Sequence, residues 1–296
     1  LFDNNLFTVE KKLLSILLMT IGSVAISFNG LVLRNIETAD DWTIIFYRAL
    51  SFSITIFMYL FFIHKKKIFK KIIQIGISGL IGGFILGISN VCFILSMTTT
   101  SVANTVFTIS LIPFITALFS LLILKEKLAQ ITVYTMIAAF FGVLMMFYGS
   151  LKIGELWGNM LALITAISFS IYTIIIRSNK NIDMLPCLLI SGIMAMGLTS
   201  FQNVGSLQIS THDFFLCFLL GGVLSGFVNC CFVFATRHLI AAEATLFFFI
   251  EIALSPFWVW LFLNEIISPN TLTGGIIILI SILIRALYLR HNKIKI

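Results

Sequence analysis

Glu251 lies inside an unbroken apolar run, LFFFIEIALSPFWVWLFL, where a carboxylate has no water around it. A carboxyl group near the middle of a bilayer costs about 2.5–3.5 kcal/mol on insertion scales, so it faces a cavity or a partner. Its type and place suit a proton carrier or a substrate anchor; a structural carboxyl bonded to neighbouring helices is the alternative. Glu243, eight residues earlier, falls in the first turn of the same segment. There it either complements the positive end of the helix dipole or meets a charged solute. Asn90 and Asn229 are amides within apolar runs, able to bond across a helix interface or to a substrate. Asn29 and Tyr172 are further polar groups at matching depths in such runs.

These groups need helices to hold them. Hydrophobic residues make up 59% of the 296-residue chain and charged residues 10%, against about 25% charged in soluble domains. That much apolar surface exceeds what one soluble core can hide, so lipid is the solvent. Ten segments have the roughly 20 apolar residues that a bilayer core requires: about 13–33, 43–63, 72–97, 102–124, 131–149, 157–176, 185–204, 213–236, 242–264 and 271–290. Counted at about 1.5 Å per residue, Glu251 is about 14 Å into the ninth. The first segment has no small-residue cleavage site after it and reads as a permanent span.

One stretch occurs twice. LIGGFILGISNVCF at 80–93 and LLGGVLSGFVNCCF at 219–232 share seven of fourteen residues at an offset of 139, Asn90 pairing with Asn229. The same offset pairs Leu124 with Leu263 and Glu126 with Glu265, and sets Ile112 opposite Glu251. Two five-helix repeats follow, 1–150 and 151–296, with a boundary near Leu151–Leu156. Placing the N-terminus inside puts fifteen of the nineteen Lys and Arg residues in inner loops and only Arg34 and Lys152 outside, as the positive-inside rule requires. Five helices per repeat is an odd number, so the second repeat enters the membrane inverted. The expected fold is two five-helix bundles with a wet crevice between them, suited to alternating access. The net charge of +7 is spread over these loops and forms no groove for nucleic acid.

Pro113 and Pro256, both expected mid-helix, kink their helices and are candidate hinges or gates, with static kinks the alternative. Gly79, Gly83, Gly87, Gly222 and Gly226 form small-residue faces for close helix packing. Arg48, a turn inside the second segment, is explained by snorkelling to headgroups, and the tryptophans by an interfacial belt or the outer half of a helix. The five cysteines read as packing residues; no His, Cys or carboxylate spacing suits a metal, and no cofactor motif is found.

Phe46-Tyr47-Arg48, the Pro113…Glu126 and Glu251…Glu265 spacings, and Trp157–Ala162 running on to Phe169-Ser170-Ile171-Tyr172 carry a family pattern. Together with the ten-span duplication, they resemble the EamA-type bacterial inner-membrane carriers of the drug/metabolite transporter superfamily. The resemblance covers nearly the whole chain. It implies a basket-like helical fold whose cavity is lined by helices 1, 3, 4, 6, 8 and 9. Members move amino acids, their derivatives, nucleobases and other small metabolites, often outward. Ile252 follows Glu251 where members often have proline; here the proline is Pro256, placing the kink a turn deeper.

The expected function is a secondary exporter of a small metabolite, zwitterionic or cationic with an apolar part, in a cytoplasmic membrane with both termini inside. No nucleotide-binding loop of the G-x-x-x-x-G-K-[ST] type is present to power it. A facilitator or channel-like permease is the alternative. An intramembrane lipid-modifying enzyme fits less well, since H-E-x-x-H and suitably spaced catalytic carboxylates are missing.

Overall fold

The computed structural model describes residues 2–148, 156–201, 207–263 and 268–293, and every regular element among them is helical. Away from water each backbone polar group must be satisfied within its own segment, which an apolar chain achieves as helix. The elements are α1 (Phe2–Ile26), α2 (Asn29–Arg34), α3 (Asp41–His64), α4 (Ile68–Gln74), α5 (Gly76–Thr99), α6 (Val102–Ile109), α7 (Ile112–Phe119) and α8 (Gln130–Met146). After the undescribed 149–155 come α9 (Leu156–Ser178), α10 (Leu185–Phe201), α11 (Thr211–Phe218), α12 (Gly226–His238), α13 (Ala241–Thr245), α14 (Phe248–Leu263) and α15 (Pro269–Lys293). Among the described residues two stretches are wound as π-helix, Ser120–Leu124 after α7 and Leu219–Ser225 between α11 and α12.

Among the described residues eight apolar stretches are long enough to cross a bilayer: Glu10–Arg34, Asp41–His64, Gly76–Thr99, Val102–Leu124, Leu156–Ser178, Thr211–His238, Ala241–Leu263 and Pro269–Tyr288. α8 and α10, in the places of the fifth and seventh expected segments, are apolar and have 17 residues each, at the short end of spanning length. Glu265 and the expected boundary, Leu156 excepted, lie outside the described residues. Three prolines occupy the first turn of a helix, Pro113 in α7, Pro186 in α10 and Pro269 in α15, where no intrahelical bond is lost. Pro113 therefore starts α7 after a break at Ser110–Leu111, which interrupts the spanning stretch Val102–Leu124 within a turn of the proline. Pro256 alone sits inside one, α14.

The most extensive contacts run between the part of the chain before 149 and the part after 155. α5 lies along α9 and α10, while α12 lies along α1, and the π stretch Leu219–Ser225 along α3. α8 pairs with α15, α10 with α3 and α7 with α13. The two parts are thus packed against each other along much of their length. Small residues permit the close approach. A Cβ on Gly83 would stand 2.7 Å from the carbonyl oxygen of Cys187, and one on Gly142 2.7 Å from that of Gly274. One end of the molecule is fastened by Asp213, fully buried, whose carboxylate accepts from the backbone N–H groups of Glu37, Thr38 and Ala39 at 3.3, 2.9 and 3.2 Å.

Candidate functional site

A cavity of about 230 Å³ lies where these helices diverge. Its lining reaches Leu33, Met97, Val102 and Phe147, residues at the ends of α2, α5, α6 and α8 that share one end of the molecule. From there it runs inward to Glu251, Asn90 and Asn229. α1 breaks at Ser27–Phe28, and Asn29 opens α2 at the cavity wall. The break is held by α14: Trp258 Nε1 donates to Ser27 Oγ at 2.7 Å, and its ring stacks on Phe28 at 4.3 Å. Trp258 is therefore a packing residue of the α1–α2 break. The Asn29 Oδ1 atom so positioned is buried with no hydrogen-bond partner among the described residues.

Arg48 of α3 points into the cavity, and this overturns the snorkelling expectation. Its guanidinium donates to Ser225 Oγ at 3.1 Å and lies 5.8 Å from the centre of the Phe93 ring, a cation–π contact. Ser225 closes the π stretch, and its carbonyl accepts from Asn229 Nδ2 at 2.9 Å. Opposite, Glu251 stands in the first turn of α14, in the cavity wall. Neither the Glu251 nor the Asn90 side chain forms a hydrogen bond or ion pair among the described residues, and Arg48 and Glu251 do not approach within 4 Å of each other. Asn29 Oδ1 is buried without a partner, which is rare, and Glu251 and Asn90 are half-buried on the same wall; beside a cation they make a surface suited to a polar solute.

Below this wall the cavity ends on aromatic rings. Phe169, Phe232 and Phe248 meet with centroids 5.1–5.7 Å apart. Tyr172 lies beneath them, fully buried, 5.6 Å from Phe169. Its hydroxyl has no partner among the described residues, and the side chain does not line the cavity. Beyond this floor is a network of charges. Glu126 accepts from Arg177 Nε at 2.6 Å, Ser120 Oγ at 2.8 Å and the Ala241 N–H at 3.3 Å. Arg177 also donates to the carbonyls of Thr236 and Arg237. Asp183 holds His64 at 2.9 Å and Arg237 at 3.3 Å. The ends of α3, α9 and α12 and the start of α13 are thereby tied together.

Glu243 also stands apart from the cavity. It is 3% exposed and paired with Arg285 at 2.8 Å, with Lys12 at 3.8 Å; Arg285 in turn donates to Thr132 Oγ1 at 3.2 Å. Of the residues singled out in the sequence, Glu251, Asn90, Asn229, Asn29 and Pro256 come together, while Glu243, Tyr172 and Pro113 do not. Arg48 was missed, although an ionisable residue within an apolar segment is itself the signal.

A solved crystal structure of another protein, 13% identical, superposes with a TM-score of 0.74 over 94% of this chain and 98% of its own. It is among 28 solved chains that match, and at that identity the likeness speaks for the fold alone. No curated protein sequence matches. A family model described as the EamA-like transporter family matches residues 13–148 and again 156–287. With a duplicated match over most of its length, on helices built to cross a bilayer, the chain belongs to the EamA-like transporter family and is a multi-pass membrane transporter of the drug/metabolite type.

Proposed function

We propose that the chain is a secondary carrier that exports a small zwitterionic metabolite, an amino acid or a related compound, by alternating access. One observation carries this reading: the cavity has a cation, Arg48, and a carboxyl group, Glu251, that do not pair with each other. A solute carboxylate fits the planar donor fork of Arg48, and its ammonium group fits Glu251. The amides of Asn29, Asn90 and Asn229 take remaining polar groups, and the phenylalanine floor takes an apolar side chain. Glu243 and Tyr172 have supporting roles, one fastening α13 to α15 and the other backing the floor.

In this reading ten helices form two inverted five-helix repeats, 1–150 and 151–296, in a cytoplasmic membrane with both termini inside. The reciprocal packing supports it: α5 on α9 and α10 is matched by the α11–α12 region on α1 and α3. So does access from one end only, the other being closed by rings and ion pairs. With Arg48 and Glu251 both charged and unfilled, closing the cavity over them would be costly. A zwitterion, or a proton on Glu251, lowers that cost, so the loaded form is the one that crosses. Breaks at Ser110–Leu111 and Leu246–Phe247, with Pro256, are the hinge positions.

The test is counterflow in proteoliposomes preloaded with candidate amino acids. Saturable exchange is expected, and Glu251→Gln should abolish its pH dependence and slow it at least about tenfold. Unchanged rate and pH dependence in Glu251→Gln would remove Glu251 from the mechanism, and flux that never saturates would replace the carrier with a pore.

A further inference from the structure

We infer that the segment between α3 and α5 is a docking site for anionic phospholipid headgroups, with its own insertion into the lipid beside them. The inference needs only that α3 and α5 cross the membrane, and is independent of the solute. The segment reads KKKIFKKIIQI over Lys65–Ile75, with five lysines in its first seven residues. Lys65 and Gly76, which bound it, have φ of 47° and 59°. Among the described residues only Lys125 shares this left-handed region, which is costly outside glycine. A chain that turns sharply on leaving one span and again on entering the next runs as a separate element along the boundary between lipid and water.

Its side chains divide into three sectors. At about 100° per residue, Ile68, Ile72 and Ile75 fall on one face, and that face packs on the protein: Ile68 and Ile75 are 4% and 2% exposed within the main apolar cluster. Phe69 and Ile73 fall together on a second face, 73% and 78% exposed. Lys67 and Lys70, exposed, and Lys71, half-buried, occupy the third. None of Lys65, Lys67, Lys70 and Lys71 forms an ion pair among the described residues; the nearby Asp183 is taken up by His64 and Arg237. An apolar pair beside an uncompensated cationic sector is the pattern of a helix lying in the interface, rings and branched chains among acyl tails, ammonium groups on phosphates. Charge complementarity selects the headgroup: lysines near a surface are drawn to anionic lipid.

The experiment compares K67Q/K70Q/K71Q with K125Q/K127Q/K180Q, which removes the same charge from exposed lysines elsewhere. Each purified protein is equilibrated with mixed phosphatidylglycerol and phosphatidylcholine, and native mass spectrometry reads the ratio of the two lipids retained. Wild type should retain phosphatidylglycerol preferentially. The segment variant should lose most of that preference, several-fold, and the control variant should keep it within twofold. An equal loss in both variants would reduce the effect to overall charge, and no loss in the segment variant would overturn the site outright. A second readout does not depend on the lysine variants. In F69W, fluorescence beyond that of the four native tryptophans should be quenched by brominated acyl chains, more by brominated phosphatidylglycerol than by brominated phosphatidylcholine. Absence of quenching by either lipid would place the segment in water and exclude insertion.

Discussion

Leu80–Phe93 and Leu219–Phe232 share half their residues, yet they are wound differently. The first runs as uninterrupted α-helix within α5, while the second passes through the π stretch Leu219–Ser225 before α12 begins. A π turn takes in an extra residue and leaves local carbonyls free for other donors. Here it sets Ser225 against Arg48, and its carbonyl takes the Asn229 amide. At the position equivalent to Ser225 the first copy has Leu86, 1% exposed. Charge is divided in the same manner. Gly221 abuts the backbone of Arg48, whereas its equivalent Gly82 abuts Cys187; Glu251 has Ile112 as its equivalent. Duplication thus supplies the frame twice, and divergence supplies each charge once, from opposite copies. A cavity polarised in this way distinguishes the two ends of a solute, which a symmetric one does not.

The largest effect should come from breaking that polarity. Arg48→Gln is expected to reduce saturable transport by about 100-fold, within the 2–5 kcal/mol typical of truncating a buried, hydrogen-bonded charge. Cys187→Ala and Ile112→Val, at the equivalent places, remove no charge and only one small group each, and should stay within about threefold. Initial uptake rates in proteoliposomes, normalised to inserted protein, decide it. Equal losses at Arg48 and Cys187 would mean that the asymmetry has no bearing on the solute.

Much of the frame was legible because a 20-residue apolar run has few alternatives to a helix, and because Asn90 and Asn229 recur at a fixed offset. Glu251 was legible for the same reason that it is costly. Arg48 was not, since it stands close enough to the end of its segment for headgroups to explain it; its partner Ser225 is 177 residues away. Glu243 and Tyr172 show the converse failure. A buried polar group reads alike in sequence whether it faces a cavity or a neighbour, and the Arg285 that occupies Glu243 comes from another helix. The π winding left no mark at all, because its glycines recur in the copy that is plain α-helix.

That difference in winding predicts unequal tolerance of the shared glycines. A Cβ on Gly221 would overlap the Arg48 carbonyl, which is backbone, while one on Gly82 meets the Cys187 Sγ and a methyl of Ile175 at 3.2 Å. Side chains can shift and backbone cannot. Gly221→Ala should therefore destabilise by about 2–3 kcal/mol and Gly82→Ala by about 1 kcal/mol, at the two ends of the usual overpacking range. Melting of the detergent-solubilised protein, followed by tryptophan fluorescence, would rank them. The reverse order would show that the π stretch yields more easily than the regular helix does.

The smallest effect should separate the two asparagines. Asn229 spends its amide N–H on the Ser225 carbonyl, so Asn229→Ala removes a hydrogen bond worth about 1 kcal/mol and should lower both the melting temperature and the apparent affinity. Asn90 has no such bond to lose, so Asn90→Ala should leave melting unchanged and raise KM a few-fold. If both amides hold the same solute, the double variant should also fall short of the product of the single effects on KM, by the coupling expected of groups sharing one partner. A melting loss in Asn90→Ala equal to that of Asn229→Ala would instead make the pair symmetric glue between helices. The difference between the copies would then concern packing alone, with Arg48 and Glu251 left as the only polar grip on the solute.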